Sequence, residues 1–137
     1  MEQNNIKTAI EHDFNFLIDE FCFNGGKWEE TNFNWTIAYK NKYIAIEVQI
    51  DLRDPFVFIL VSSIETSDTP DEMKYLEGKK KYLQDILKQL GLINCVEDKD
   101  IQTLGGKWEN IPRISHKLSS LLKNNLEIIL KEKEKIF

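Results

Sequence analysis

Hydrophobic positions along this chain change period twice. From Asn4 to Phe23, Ile6, Ile10, Phe14, Leu17 and Phe21 recur at three- and four-residue steps, with Ala9 and Ile18 widening the stripe. That spacing predicts an amphipathic helix. Asn24-Gly25-Gly26 is expected to end it, because Gly takes the left-handed conformation used at helix C-termini. From Phe33 the period falls to two: Phe33, Trp35, Ile37 and Tyr39 alternate with Asn34, Thr36 and Ala38, as in a half-buried strand. After a turn at Lys40-Asn41-Lys42, Ile44, Ile46, Val48 and Ile50 point one way. Tyr43, Ala45, Glu47, Gln49 and Asp51 point the other. An antiparallel sheet with one face on helices and the other partly wet follows from that alternation. Asp51-Leu52-Arg53-Asp54-Pro55 reads as the next turn. Phe56 to Val61 is then continuously apolar, the mark of a strand buried on both faces.

Helical spacing returns downstream. Thr69-Pro70-Asp71-Glu72 combines a cap, a first-turn proline and a capping-box carboxylate. It predicts a helix toward Leu90 whose seam is Met73, Leu76, Leu83, Leu87 and Leu90, with a break near Gly78. Gly91-Leu92 reads as its C-terminal cap. Ile93, Cys95 and Val96 are too few to assign a strand, and Glu97-Asp98-Lys99-Asp100 reads as solvated. A last helix is expected from Ile111-Pro112, with Asn110 as cap and a stripe of Ile114, Leu118, Leu121, Leu122, Leu126, Ile129 and Leu130. Lys131 to Lys135 is expected to fray into solvent. The fold class that results is α+β: an N-terminal helix, a three-stranded antiparallel β-meander, then two C-terminal helices packed on the sheet. It is read as one domain over residues 1–137.

Composition narrows the function classes. No apolar run approaches the roughly 20 residues of a membrane span, and Met1-Glu2-Gln3-Asn4-Asn5 lacks a signal-peptide pattern. The cytoplasm is therefore the expected compartment. A net charge of −5 disfavours nucleic acid as partner, since phosphate neutralisation dominates such binding. The acidity is uneven: Glu47, Asp51, Asp54, Glu65, Asp68, Asp71 and Glu72 face a single basic residue, Arg53, within one stretch. Such a rim keeps a protein soluble and can also attract a basic partner. Cys22 and Cys95 lie among apolar neighbours and read as buried free thiols. With His12 and His116 they show no metal-ligand spacing, so no metal and no cofactor is expected.

Two features could carry chemistry. Gly25-Gly26-Lys27-Trp28-Glu29 recurs as Gly105-Gly106-Lys107-Trp108-Glu109. Trp28 and Trp108 could shape one binding surface, since Trp is enriched at binding hot spots; alternatively each lids the core. The second feature is the polar face of the second strand with its turn: Glu47, Gln49, Asp51, Arg53 and Asp54. Glu47 and Asp51 could bind a divalent cation for hydrolysis. Glu47-Val48-Gln49 is loosely like the Glu-x-Lys strand of restriction-endonuclease-like nucleases. Gln49 stands where that pattern has Lys, however, and the preceding strand offers Asn and Thr rather than Asp. No nucleophile elbow or phosphate-binding glycine loop is present, and no catalytic residue is assigned.

Phe14-Asn15-Phe16-Leu17, Phe21-Cys22-Phe23, the run from Tyr39 to Val48, and Asp51-Leu52-Arg53-Asp54 occur in a familiar order. Over the first half of the chain this order is similar to small acidic bacterial proteins with a helix, a β-meander and trailing helices. Several of these look like immunity proteins of polymorphic toxin systems. The resemblance implies a non-enzymatic protein-binding module that neutralises a cognate toxin, with a basic toxin domain as partner. On this reading the acidic rim of Glu47, Asp51, Asp54, Glu65 and Asp68 steers the partner, Arg53 belongs to the same partner-binding set, and Trp28 or Trp108 supplies desolvated contact. The alternatives are a metal-dependent hydrolase or nuclease using Glu47 and Asp51, and a structural homo-oligomer, such as a homodimer formed through an exposed strand or helix face.

Overall fold

A computed structural model describes residues 3–66 and 73–137, with backbone alone for 65–66 and 73–79. The chain is α+β, with helices from both ends packed on an antiparallel sheet. Helix α1 spans Gln3–Phe14 and buries Ile6, Ile10 and Phe14. A short turn at Asn15 separates it from α2, Phe16–Asp19. The expected single helix is therefore two, and Ile18 faces outward rather than widening the stripe. The left-handed residue beyond it is Cys22, at φ 59, rather than either glycine.

Both glycines instead serve the sheet edge. Strand β1, Asn24–Gly25, and β2, Glu29–Glu30, pair with opposite ends of β3, Asn34–Lys40. Between them the Gly26 amide donates to the Ala38 carbonyl at 2.8 Å. A Cβ on Gly26 would sit 2.8 Å from that same oxygen.

Strand β3 turns into β4, Ile44–Asp51, and β4 into β5, Phe56–Thr66, each pair antiparallel. Side chains close both turns. Asn41 Oδ1 accepts from the Tyr43 and Ile44 amides, both at 2.8 Å. Asp51 Oδ1 accepts from the Arg53 and Asp54 amides at 2.8 and 3.2 Å. The alternation read from sequence holds in three dimensions. Ile44, Ile46, Val48 and Ile50 join Val57, Ile59 and Val61 beneath the helices, all fully buried.

The sheet has more strands than the three expected. Residues Met73–Tyr82 form strand β6, antiparallel to β5, with a register shift between Ser62 and Ile64. Helix α3 is confined to Leu83–Gln89. The physical reason is non-local. A strand apolar on both faces needs a neighbour along its outer edge, and β6 provides it while setting Lys80 opposite Ser62. The Thr69-Pro70-Asp71-Glu72 helix start, Asp68 and the Glu65 side chain lie outside the described residues. Gly91 ends α3 as expected: at φ 70, it lets the Leu92 amide reach Leu87 O at 2.8 Å and its own amide reach Lys88 O.

Four further expectations are corrected. Residues Cys95–Gln102 form helix α4 rather than a loop or strand, capped by Asn94, whose side chain accepts from the Glu97 amide. Cys22 and Cys95 are both exposed free thiols: Cys22 sits in the left-handed turn between α2 and β1, and Cys95 on the outer side of α4. Asn110 precedes helix α5, Ile111–Lys131, but its side chain donates to Leu104 O instead of capping. The chain does not fray beyond α5: Lys133–Ile136 makes a helical turn, α6, whose Ile136 is buried and whose Ile136 carbonyl accepts from Lys81 at 2.6 Å. No helix among the described residues is long and apolar enough to cross a membrane.

One core runs between the sheet and α1, α3 and α5. Tyr39 belongs to it, its ring 6.4 Å from that of Phe14. Burial first, and then the Glu11 charge, push its hydroxyl up from 10.0 to about 12. A group whose folded pKa is raised leaves stability intact below its unfolded value and draws it down as pH rises toward the folded one. Stability is therefore expected to fall between pH 10 and 12. Tyr39 should titrate late in an absorbance titration, and Tyr39→Phe should remove that late phase.

Candidate functional site

The second face of the sheet is the candidate site. Register places Asn34, Thr36 and Ala38 of β3 beside Asp51, Gln49 and Glu47 of β4, and these beside Phe56, Phe58 and Leu60 of β5. The face is not uniform. Toward the β6 side, Ala45, Glu47, Leu60 and Ser62 are buried, whereas Asn34, Thr36, Gln49, Asp51 and Phe58 remain partly open. Three adjoining hollows lie along the open part, of about 450, 220 and 480 Å³.

Glu47 is committed to the protein itself. Lys80 Nζ lies 3.0 Å from both of its carboxylate oxygens, and Gln49 Nε2 donates at 3.3 Å. Asp51 is spent differently, holding the β4–β5 turn through the amides of Arg53 and Asp54. Glu47 and Asp51 are four steps apart along the strand, about 13 Å at the usual rise, so the two cannot chelate one cation. Among the described residues no set of three His, Cys, Asp or Glu side chains is arranged to hold a metal ion. Arg53 extends over the exposed Phe33 ring, 4.5 Å from its centre. Asp54 is exposed at the turn.

Trp28 and Trp108 lie on the helical side of the sheet, apart from this face. Both gather around Trp35. The Trp108 ring is 5.9 Å from Trp35, while Lys7 Nζ sits 5.6 Å from the Trp28 ring and 4.9 Å from that of Trp35. Lys7 also pairs with Glu30, and Trp28 Nε1 donates to Glu11 at 3.0 Å. All three rings are partly buried against the core. The repeated pentapeptide thus adopts two conformations. The first copy is a sheet edge; the second is a turn docked on the β4–β5 connection, where the Gly106 amide donates to Pro55 O at 2.8 Å. Gly106, at φ 86, and Gly105, whose Cβ would meet the Phe56 ring at 2.9 Å, make that approach close enough.

Two clusters escaped the sequence reading. Ser115 Oγ donates to Asp13 at 2.9 Å, and His116 Nδ1 lies 3.4 Å from the other oxygen of the same carboxylate. Serine, histidine and aspartate meet here, but not in catalytic order. Asp13 takes the serine hydroxyl that a triad would hand to histidine, and Ser115 is fully buried. It ties α1 to α5.

The second is the hollow of about 480 Å³ bounded by the β4–β5 turn, β6, α3 and α4. Its floor is aromatic: Phe56 and Phe58 are 4.9 Å apart, and Phe58 and Tyr82 are 5.7 Å apart. Among the described residues its rim carries Asp51, Asp54, Asp85 and Asp98 against one cation, Lys88. Asp98 is buried rather than solvated, accepting from Lys88 at 2.6 Å and from Gln102 at 2.8 Å on one oxygen. The hydrogen bond to Asp98 holds the Lys88 ammonium above its ordinary value, against the opposing pull of desolvation, with the charges of Asp98 and Asp85 adding. No protein-family model matches the chain, and no curated protein or solved structure matches it.

Proposed function

We propose that this chain is a non-enzymatic protein-binding module of the cytoplasm, and that it works as an immunity-type inhibitor whose open sheet face receives a basic toxin domain. The observation that carries this reading is the sheet's asymmetry. One face is sealed by α1, α3 and α5, while the other leaves a broad, shallow surface of Asn34, Thr36, Gln49 and Asp51 beside Phe58. Phe33 and Tyr82, both about half exposed, flank it. Protein interfaces favour such aromatic contacts within a polar surround, whereas small-molecule chemistry favours enclosed pockets with converging groups. The carboxylates near the β4–β5 turn would steer a positive partner and set association rate more than final affinity.

The test begins with in-cell cross-linking to recover a partner, followed by reconstitution with that partner purified. Gln49→Arg, in the middle of the open face, should weaken the complex by about a hundredfold. Asp51→Asn with Asp54→Asn keeps the turn acceptor of Asp51 while removing charge. It should slow association about tenfold at low salt and much less at high salt. The recovered partner should be toxic when expressed alone and harmless beside this chain. A complex indifferent to Gln49→Arg would refute the placement on this face; a partner without toxicity would refute the immunity role.

A further inference from the structure

We infer that the cleft between the β4–β5 turn, α3 and α4 is a receptor for one guanidinium group, an arginine side chain presented by the protein partner. The inference rests on the binding-module reading and names the chemical group that this end of the face would capture.

Charge and shape agree on a planar organic cation. The carboxylates of Asp51 and Asp54, Asp85 and Asp98 come from three separate segments and line the cleft, with Lys88 the one cation among its described lining residues. They do not converge on a point, and no described group of ligands is set to hold a metal ion. A guanidinium spreads its charge over a plane and carries five N–H donors, so it can meet carboxylates on more than one wall. The aromatic floor of Phe58 and Tyr82 offers it a face to stack on. The volume of about 480 Å³ exceeds what one side-chain head requires, leaving room for the stem that leads back to a partner's backbone.

Asp98 supplies an independent sign. Its side chain is 5% exposed and lines the cleft, yet only Oδ2 is engaged by Lys88 and Gln102. Oδ1 is buried with no hydrogen-bond partner among the described residues. A buried carboxylate oxygen without a donor is a standing energetic deficit. Lys88 does not make it good, because its single ammonium is held at Oδ2. A donor arriving in the cleft would reach it only as the side chains that now cover it give way, and a charged N–H forms the stronger bond. Tyr82, about half exposed, would then be covered as well.

The full chain, isotopically labelled, should be titrated with N-acetyl-arginine amide while backbone amide shifts are followed by NMR. Shifts should saturate on the order of millimolar probe, as befits so small a ligand, and should cluster at Phe58, Tyr82, Asp85 and Asp98. N-acetyl-citrulline amide, equal in shape and uncharged, should leave them unmoved. Asp98→Asn should weaken the arginine probe about tenfold. If that variant loosens α4, Asp85→Asn, at an exposed position, should still weaken it measurably. Equal response to citrulline, tighter binding of N-acetyl-lysine amide, or no shifts at these residues would each overturn the assignment. Those outcomes need no partner, so they stand apart from the partner-binding test: a face that still loses its partner on Gln49→Arg, with a cleft that ignores arginine, would sink this inference alone.

Discussion

Replacing Phe14 with Ala is expected to lower stability by about 3–5 kcal/mol, the range for truncating a fully buried aromatic. Phe14 is 0% exposed at the C-terminal end of α1, where its ring lies 6.4 Å from both Phe16 and Tyr39. It joins three parts of the core at once: the first helix, the short α2 and strand β3. The cavity left behind would be lined by residues from separate elements, each fixed by its own backbone bonding, which limits collapse. In a chain of 137 residues the loss corresponds to a drop of roughly 10–15 °C in melting temperature. Phe14→Leu, which retains most of the volume, should cost less than half as much. Thermal unfolding followed by circular dichroism tests both. A Phe14→Ala protein that melts within 3 °C of the parent, in a measure of about 1 kcal/mol, would show that the helix is not anchored there.

The second large effect concerns Glu47. Its side chain is 10% exposed and its paired Lys80 is 42% exposed. Lys80→Met should therefore leave a largely buried carboxylate with Gln49 as its remaining donor among the described residues. Breaking a pair buried on both sides costs about 3–5 kcal/mol. Because solvent already screens the lysine end, about 2 kcal/mol is expected here. The diagnostic is the double variant. Adding Glu47→Gln to Lys80→Met should restore at least half of the loss, since an amide needs no counter-ion. Chemical denaturation of the four proteins in this cycle gives the coupling directly. Additive losses would mean that the two side chains are uncoupled and that Glu47 is satisfied without Lys80.

Which parts of this architecture were legible in sequence depends on how local their causes are. Strands β4 and β5 and helix α5 could be read because each carries its own period. The Gly91-Leu92 cap could be read because its geometry is completed within five residues. β6 could not. Met73 and Leu76 imitate a helical step, while the reason for extended structure lies across the sheet, in the open edge of β5 and in Glu47. The repeated Gly-Gly-Lys-Trp-Glu makes the same point from inside the chain: identical residues form an edge strand at Asn24–Gly25 and Glu29–Glu30 and a turn before Trp108–Asn110. Their surroundings decide.

The candidate face was half legible. Alternation alone put Glu47, Gln49 and Asp51 on one side of β4, and the structure keeps them there. It could not reveal that Trp28 and Trp108 would turn to the helical side, since a loop residue has no period to orient it. Nor could it single out Asp98 from Glu97-Asp98-Lys99-Asp100. Four charges in a row give no sign of which one Lys88 and Gln102 will reach, and that choice is made by the packing of α4 against α3.

The divided edge of the sheet has a consequence for behaviour at high concentration. Beyond β3 the described residues offer two rungs of two residues, separated by Gly26, Lys27 and Trp28. An incoming strand from another molecule would find no continuous row of free amides and carbonyls to copy on that side, and Lys27 would meet it with charge. Short, interrupted borders of this kind resist templated growth. A chain rich in Ile, Val and Phe along β4 and β5 can thus be stored at high density without that border seeding fibrils.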